Sequence, residues 1–135
     1  MSDSVLVTGI STGFGQEIAL MLGEKGYTVY GTVRDMSLRP QLEALAAKRN
    51  ADLRVVYMDV TDQSSIDAVV EQIVEECGAI YGVVNNAGVL LRGYFEDLAD
   101  DEIRHLFNVN FFGMLAVTRA VLPHMRRAQN GRVVI

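Results

Sequence analysis

Val5-Leu6-Val7-Thr8-Gly9-Ile10-Ser11-Thr12-Gly13-Phe14-Gly15 joins a short apolar run to a segment of helical spacing through three glycines in seven residues. A strand that turns directly into a helix through glycines lets the backbone approach a pyrophosphate, and the helix start offers free N–H groups with a partial positive charge. Ser11 and Thr12 add two hydroxyl donors. The spacing is G-x-x-x-G-x-G, which is neither the G-x-G-x-x-G dinucleotide pattern nor the P-loop, and no lysine follows Gly13 or Gly15. An ATPase is therefore disfavoured. Glycines also serve tight turns of no function, so the loop's placement after the first strand carries the reading, and a methyltransferase of the same layered fold remains a rival.

Outward from this junction, apolar runs of strand length alternate with helical segments. The runs are Val5–Val7, Tyr27–Val33, Leu53–Met58, Ile80–Val84 and Arg132–Ile135, with little polar alternation, as in parallel strands covered on both faces. The segment after Asp62 places Ile66, Val69, Val70, Ile73 and Val74 on one helical face, with Thr61 or Asp62 as the cap and Gly78 as the stop. Another helix shows Leu38, Leu42, Leu45 and Ala46 with Pro40 in its first turn, and the helix leaving the glycine loop shows Phe14, Ile18 and Leu22. The helix starting near Asp100 has the row Ile103, Phe107, Asn110, Met114, Val117, Val121, which predicts that Asn110 faces the sheet and that Pro123 strains the last turns. Strand and helix alternate four times. The expected fold is α/β: a doubly wound parallel sheet of Rossmann type in three α/β/α layers, with order 3-2-1-4-5 and a cut after strand five.

Composition narrows the partners. The 135 residues carry 17 acidic and 12 basic side chains, a net charge of −5, one cysteine and two histidines. No disulfide framework or zinc-ligand spacing survives that count, so no metal site is expected. No basic stretch exceeds Arg126-Arg127, which argues against nucleic acid, and the first residues resemble neither a signal peptide nor a membrane span. A soluble, cytoplasmic, single dinucleotide-binding domain over 1–135 is expected, incomplete at its C-terminus. His105 and His124 are expected on the surface and Cys77 as a small buried hydrophobe. Leu90, Leu91, Tyr94 and Phe95 either border a substrate mouth or pack on the core.

The end of strand two bears on which nucleotide fits. A carboxylate there reads the ribose 2′-hydroxyl of NAD, whereas a cation suits the 2′-phosphate of NADP. Thr32-Val33-Arg34-Asp35 supplies both, and spacing alone leaves Asp35 and Arg34 equally placed.

Taken together, Thr8-Gly-Ile-Ser-Thr-Gly-Phe-Gly15, Asp59-Val60, Asn85-Asn-Ala-Gly88 and Asn108-Val-Asn-Phe-Phe-Gly113 resemble, in order and across nearly the whole chain, the N-terminal half of the short-chain dehydrogenase/reductase family. The resemblance implies that Gly9, Ser11, Thr12, Gly13, Phe14 and Gly15 hold the cofactor diphosphate, with Phe14 in place of a usual aliphatic residue. It implies that Asp59 accepts from the adenine amino group and Val60 contacts the ring. Asn86, Ala87 and Gly88 would line the adenosine ribose, Asn86 would tie neighbouring strands, and Val109 would touch the adenine side. In family register the acidic position falls on Val33 and the next on Arg34, which favours NADP(H) over NAD. The run Val29 to Met36 looks most like the 17β-hydroxysteroid and retinol dehydrogenase group, a hint of an apolar alcohol or carbonyl substrate.

Asn110 matches the asparagine of the family's catalytic tetrad, where it holds a water. The serine and the Tyr-x-x-x-Lys of that tetrad lie beyond strand five in the family, and none of Tyr27, Tyr30, Tyr57, Tyr81 or Tyr94 has lysine four residues on. The chain alone is therefore expected to be inactive and to be part of a longer oxidoreductase, with a non-catalytic nucleotide-binding module as the alternative. An edge strand with an uncovered apolar face further predicts self-association as a homo-oligomer.

Overall fold

The computed structural model describes residues 2–135. Its strands are β1 (Ser4–Val7), β2 (Thr28–Val33), β3 (Leu53–Tyr57), β4 (Gly82–Val84) and β5 (Arg132–Val134). They form one sheet in the order β3-β2-β1-β4-β5, and every neighbouring pair is parallel. The helices are α1 (Gly13–Glu24), α2 (Arg39–Lys48), α3 (Gln63–Cys77), α4 (Asp100–Phe107) and α5 (Met114–Ala128). A wide π-type turn over Asn108–Gly113 joins α4 to α5 without a break.

Period-two alternation divides the core between the two faces. Leu6 and Tyr30 point into a cluster with Ile66, Ile73 and Val117 from α3 and α5, while Val5, Val7 and Val29 join Leu20 and Leu42 from α1 and α2. Each fully buried aliphatic side chain is worth about 1.5–3 kcal/mol, so the two layers hold the sheet between them. Asp62, not Thr61, caps α3: its carboxylate accepts from the Ser64 amide at 3.1 Å. Gly78 ends that helix in the left-handed conformation at φ 80°.

Two packing expectations are corrected. In α1 the buried residues are Gly15, Ala19, Leu20 and Gly23, while Phe14 is exposed and Ile18 and Leu22 pack half-buried against the same cluster, because the helix turns a face of three small residues and Leu20 to the sheet. On the long helix the buried positions are Val109, Gly113, Val117, Val121 and Met125, and Phe107 and Asn110 are exposed. The wide turn inserts extra residues per turn, which moves the apolar row off the phase that regular spacing predicts. Pro123 sits inside α5 and the helix continues past it to Ala128.

The strands also differ from the expectation of uniform cover. β1 and β2 are buried throughout, β3 alternates, and β5 is exposed along its length. By length and composition the run Asp100–Ala128 could cross a membrane. One of its faces is nevertheless spent on the core beside α3.

Candidate functional site

Beyond the carboxyl ends of β1, β2, β3 and β4 lies a cleft of about 240 Å³ lined by Gly9, Ser11, Thr12, Phe14, Thr32, Val33, Arg34, Met58, Asp59, Val60, Asn86, Ala87, Gly88, Val89 and Val109. All but three of the sequence-predicted site residues stand in this wall. Gly13 and Gly15 lie behind it in the loop and first helical turn, and Asn110 lies next to Val109 on the wide turn. Thr32, Met58 and Val89 were not anticipated.

The loop is shaped by close approach. Gly9 has φ 71°, and a Cβ there would stand 2.8 Å from the Ala87 Cα. A Cβ on Gly15 would overlap the Gly9 carbonyl oxygen and the Asn86 amide nitrogen. The Gly9 amide donates to Thr32 Oγ1 at 3.2 Å and the Ile10 amide to the Thr32 carbonyl at 2.9 Å, so β2 fixes the loop from one side.

From the other side the fixing comes through Asn86. Its Nδ2 donates to the carbonyls of Thr8 at 3.1 Å and Gly9 at 2.8 Å. Thr8 Oγ1 in turn accepts from the amides of Asn86 at 3.0 Å and Ala87 at 2.9 Å. The exits of β1 and β4 are thereby sewn into one rigid floor.

Above that floor the start of α1 is open. Thr12 makes no side-chain cap, no acidic residue occupies the first turn, and nothing lies within 4 Å of where a Gly13 Cβ would be. Uncapped amides and a positive helix end facing open space suit a diphosphate. The donor set fits that group.

At the other end of the cleft Asp59 Oδ1 accepts from the Thr61 amide at 2.9 Å and the Thr61 hydroxyl at 2.7 Å. These two donors, with Arg34 and His105 nearby, hold the Asp59 carboxyl below its ordinary range. The two candidates at the end of β2 separate here. Asp35 caps the turn after it, accepting from the Ser37 amide at 3.0 Å, and does not line the cleft. Arg34 lines the cleft, and among the described residues it takes part in no hydrogen bond or ion pair, unlike Arg39, Arg49 and Arg54, which all pair with glutamates.

Asn110 is not buried, yet both its polar atoms are engaged. Oδ1 accepts from the Val89 amide at 2.7 Å and Nδ2 donates to the Val89 carbonyl at 2.8 Å, so the side chain pairs with the loop after β4 as a neighbouring strand would. Leu90, Tyr94 and Phe95 are exposed and do not pack on the core. His105 is exposed, and half-buried His124 contacts Arg127 through Nδ1 at 2.8 Å. Cys77 is half-buried, 3.4 Å from the Tyr30 hydroxyl.

A family model described as short chain dehydrogenase matches residues 3–135. The chain is 38% identical over 130 residues to a 3-ketodihydrosphingosine reductase of Bacteroides thetaiotaomicron, covering 96% of this chain and 45% of that protein. It is 35% identical over 136 residues to human retinol dehydrogenase 8, covering 98% and 43%. A solved actinorhodin polyketide ketoreductase variant with NADPH superposes with a TM-score of 0.93 at 30% identity, covering 98% of this chain and 51% of that one. The chain thus spans about half the length of the relatives it matches.

Proposed function

The chain belongs to the short-chain dehydrogenase family, and on that premise we propose that it forms the NADP(H)-binding half of an oxidoreductase interconverting an alcohol and a carbonyl. The bound nicotinamide supplies or takes up the hydride in such chemistry. This chain's residues do the holding. The amides from Gly9 to Gly15 receive the diphosphate, Asp59 accepts from the adenine amino group, and Val60 and Val109 flank the ring. Asn110 fixes Val89 and with it the exit of β4, where the reacting end of the cofactor would lie. An apolar small molecule is the proposed substrate, supported by the exposed Leu90, Tyr94 and Phe95 and by the names of the two relatives above.

The observation that carries the choice of NADP(H) is the guanidinium of Arg34, free on the cleft wall, beside Val33 where an NAD enzyme would carry an acid. A hydrogen bond to a charged group is worth about 1.5–3 kcal/mol, so Arg34→Ala should weaken NADP binding about 10- to 150-fold in calorimetric titration. NAD binding should hardly change. Equal losses for both nucleotides would refute the assignment. A second reading is nucleotide binding without turnover. It predicts NADP(H) affinity in the complete reading frame with no carbonyl reduction.

A further inference from the structure

The cleft-wall residues Asn86, Ala87, Gly88 and Val89 follow closely on β4. One end of this stretch is held by Asn110, which pairs with both backbone groups of Val89. The other end is held as well. Asn85 Nδ2 donates to Thr118 Oγ1 on α5 at 3.1 Å, and the Asn85 amide donates to the Val134 carbonyl of β5 at 2.9 Å. Asn110 and Thr118 lie on one unbroken helical segment, about 12 Å apart along its axis at the ordinary rise. The chain from Asn85 to Val89 reaches at most about 14 Å when extended, so it can run beside the helix with an anchor at each end.

The side-chain amide of Asn85 is oriented by this contact. Its Oδ1 is buried, and among the described residues it is the one such side-chain polar atom without a hydrogen-bond partner. Turning the amide over would bring Oδ1 to the Thr118 hydroxyl, but it would also set that oxygen against the Val134 carbonyl, which stands 3.5 Å from Nδ2. Nδ2 therefore faces both acceptors and Oδ1 goes unpaired. Buried orphans are rare and unfavourable, and this one stands where β4, β5 and α5 meet.

We propose that Thr118 is a positioning residue of the cleft: with Asn85 it forms a second clamp that, together with Asn110, holds Asn86 to Val89 against the long helix in the shape that receives the nucleotide. Thr118 does not line the cleft, so it acts only through Asn85. Each clamp favours the held form of the wall. Nucleotide affinity scales with the fraction of molecules in that form, so losing one clamp leaves the other to hold most of the population, whereas losing both releases it. The bearing on affinity rests on the NADP(H) reading above; the two anchors do not.

The test compares Thr118→Val, Asn110→Ala and the double variant. Hydrogen exchange follows the wall directly. Thr118→Val should speed exchange of the Ala87 amide, whose own partner is Thr8 Oγ1, about 2- to 10-fold, while the Val29 amide in β2 keeps its rate. Thr118→Ser returns the acceptor and should restore the Ala87 rate. In calorimetric titration with NADP⁺ each single variant should weaken binding by less than about 10-fold, and the double variant by more than the product of the two, where independent losses would only multiply. Unchanged Ala87 exchange in Thr118→Val, or equal acceleration at Val29, would overturn the clamp, and so would effects on affinity that only multiply. If the chain binds no NADP⁺, the NADP(H) reading falls and the exchange rates still decide the clamp.

Discussion

Replacing Thr8 by valine isolates the joint between the two halves of the cleft floor. Thr8 is 1% exposed, and its hydroxyl accepts from the Asn86 amide at 3.0 Å and the Ala87 amide at 2.9 Å, with the Val84 carbonyl 3.4 Å away to receive its own proton. Valine has nearly the same shape, so no cavity opens. What changes is that the Ala87 amide loses its acceptor, while the Asn86 amide loses one of two and keeps the Val84 carbonyl at 3.1 Å. An orphaned donor costs about 1–3 kcal/mol and the lost Asn86 bond about 0.5–1.5 kcal/mol, which puts the loss at about 1.5–4.5 kcal/mol. The methyl gained offsets only about 0.8 kcal/mol. Against the typical total of about 5–15 kcal/mol, this is a large fraction of the fold's stability. Urea unfolding gives the energy, and hydrogen exchange at the Asn86 and Ala87 amides gives the location. Thr8→Ser should restore both to within about 1 kcal/mol, since the hydroxyl returns and one methyl is lost. An unfolding midpoint and exchange rates unchanged in Thr8→Val would refute the claim that this hydroxyl holds the exits of β1 and β4 together.

Other perturbations separate the parts of the site. Asn110→Ala removes two hydrogen bonds to Val89, so it should cost about 1–3 kcal/mol and speed exchange of the Val89 amide; an unchanged rate would deny it the role of a clamp. Gly15→Ala drives a methyl into the Gly9 carbonyl and the Asn86 side chain, predicting a loss of about 1–3 kcal/mol together with cofactor affinity. Gly13→Ala meets open space and should cost only the left-handed backbone term, about 1–2 kcal/mol; the reverse ranking in thermal unfolding would contradict the packing described. Burial, then Cys77 and Glu76, push the Tyr30 phenol well above its ordinary value of 10. Its protonated form is favoured by folding, so that stability is complete below pH 10 and is lost as pH rises beyond it, by up to about 1.4 kcal/mol per unit. Tyr30→Phe should flatten the stability profile above pH 10, and an equally steep profile in the variant would show that other groups set it.

The sheet was legible because β1 and β2 are apolar on both faces, and because the strand–glycine–helix junction specifies where a parallel crossover begins. The helix faces were legible only where spacing was regular. In α3 the row Ile66, Val69, Val70, Ile73 is buried as periodicity predicts. In α1 Gly15, Ala19, Leu20 and Gly23 are buried and Phe14 is not, because the cleft requires a close approach of small residues that hydrophobicity does not encode. Thr8 and Thr32 escaped notice for a related reason. Their hydroxyls act on backbone groups brought near by the fold, and nothing in their local sequence marks a threonine of that kind.

The long helix shows why part of the site could not be read from periodicity. In a regular helix a residue pairing with the β4 loop, a residue lining the cleft and a residue packed on Val60 would have to satisfy one fixed rotation of about 100° per position. The wide turn relaxes that condition. Val109 lines the cavity and the adjacent Asn110 pairs with Val89. Gly113 passes so close to Val60 that a Cβ would stand 2.6 Å from its Cγ2. The row through Ile103, Phe107 and Asn110 was therefore an artefact of assuming constant pitch, and the polar residue in it was the signal of a departure. A polar side chain that regular spacing would bury implies either a buried partner or a local change of pitch. Here the second holds, and it is what lets a single segment serve both the cleft wall and the loop after β4.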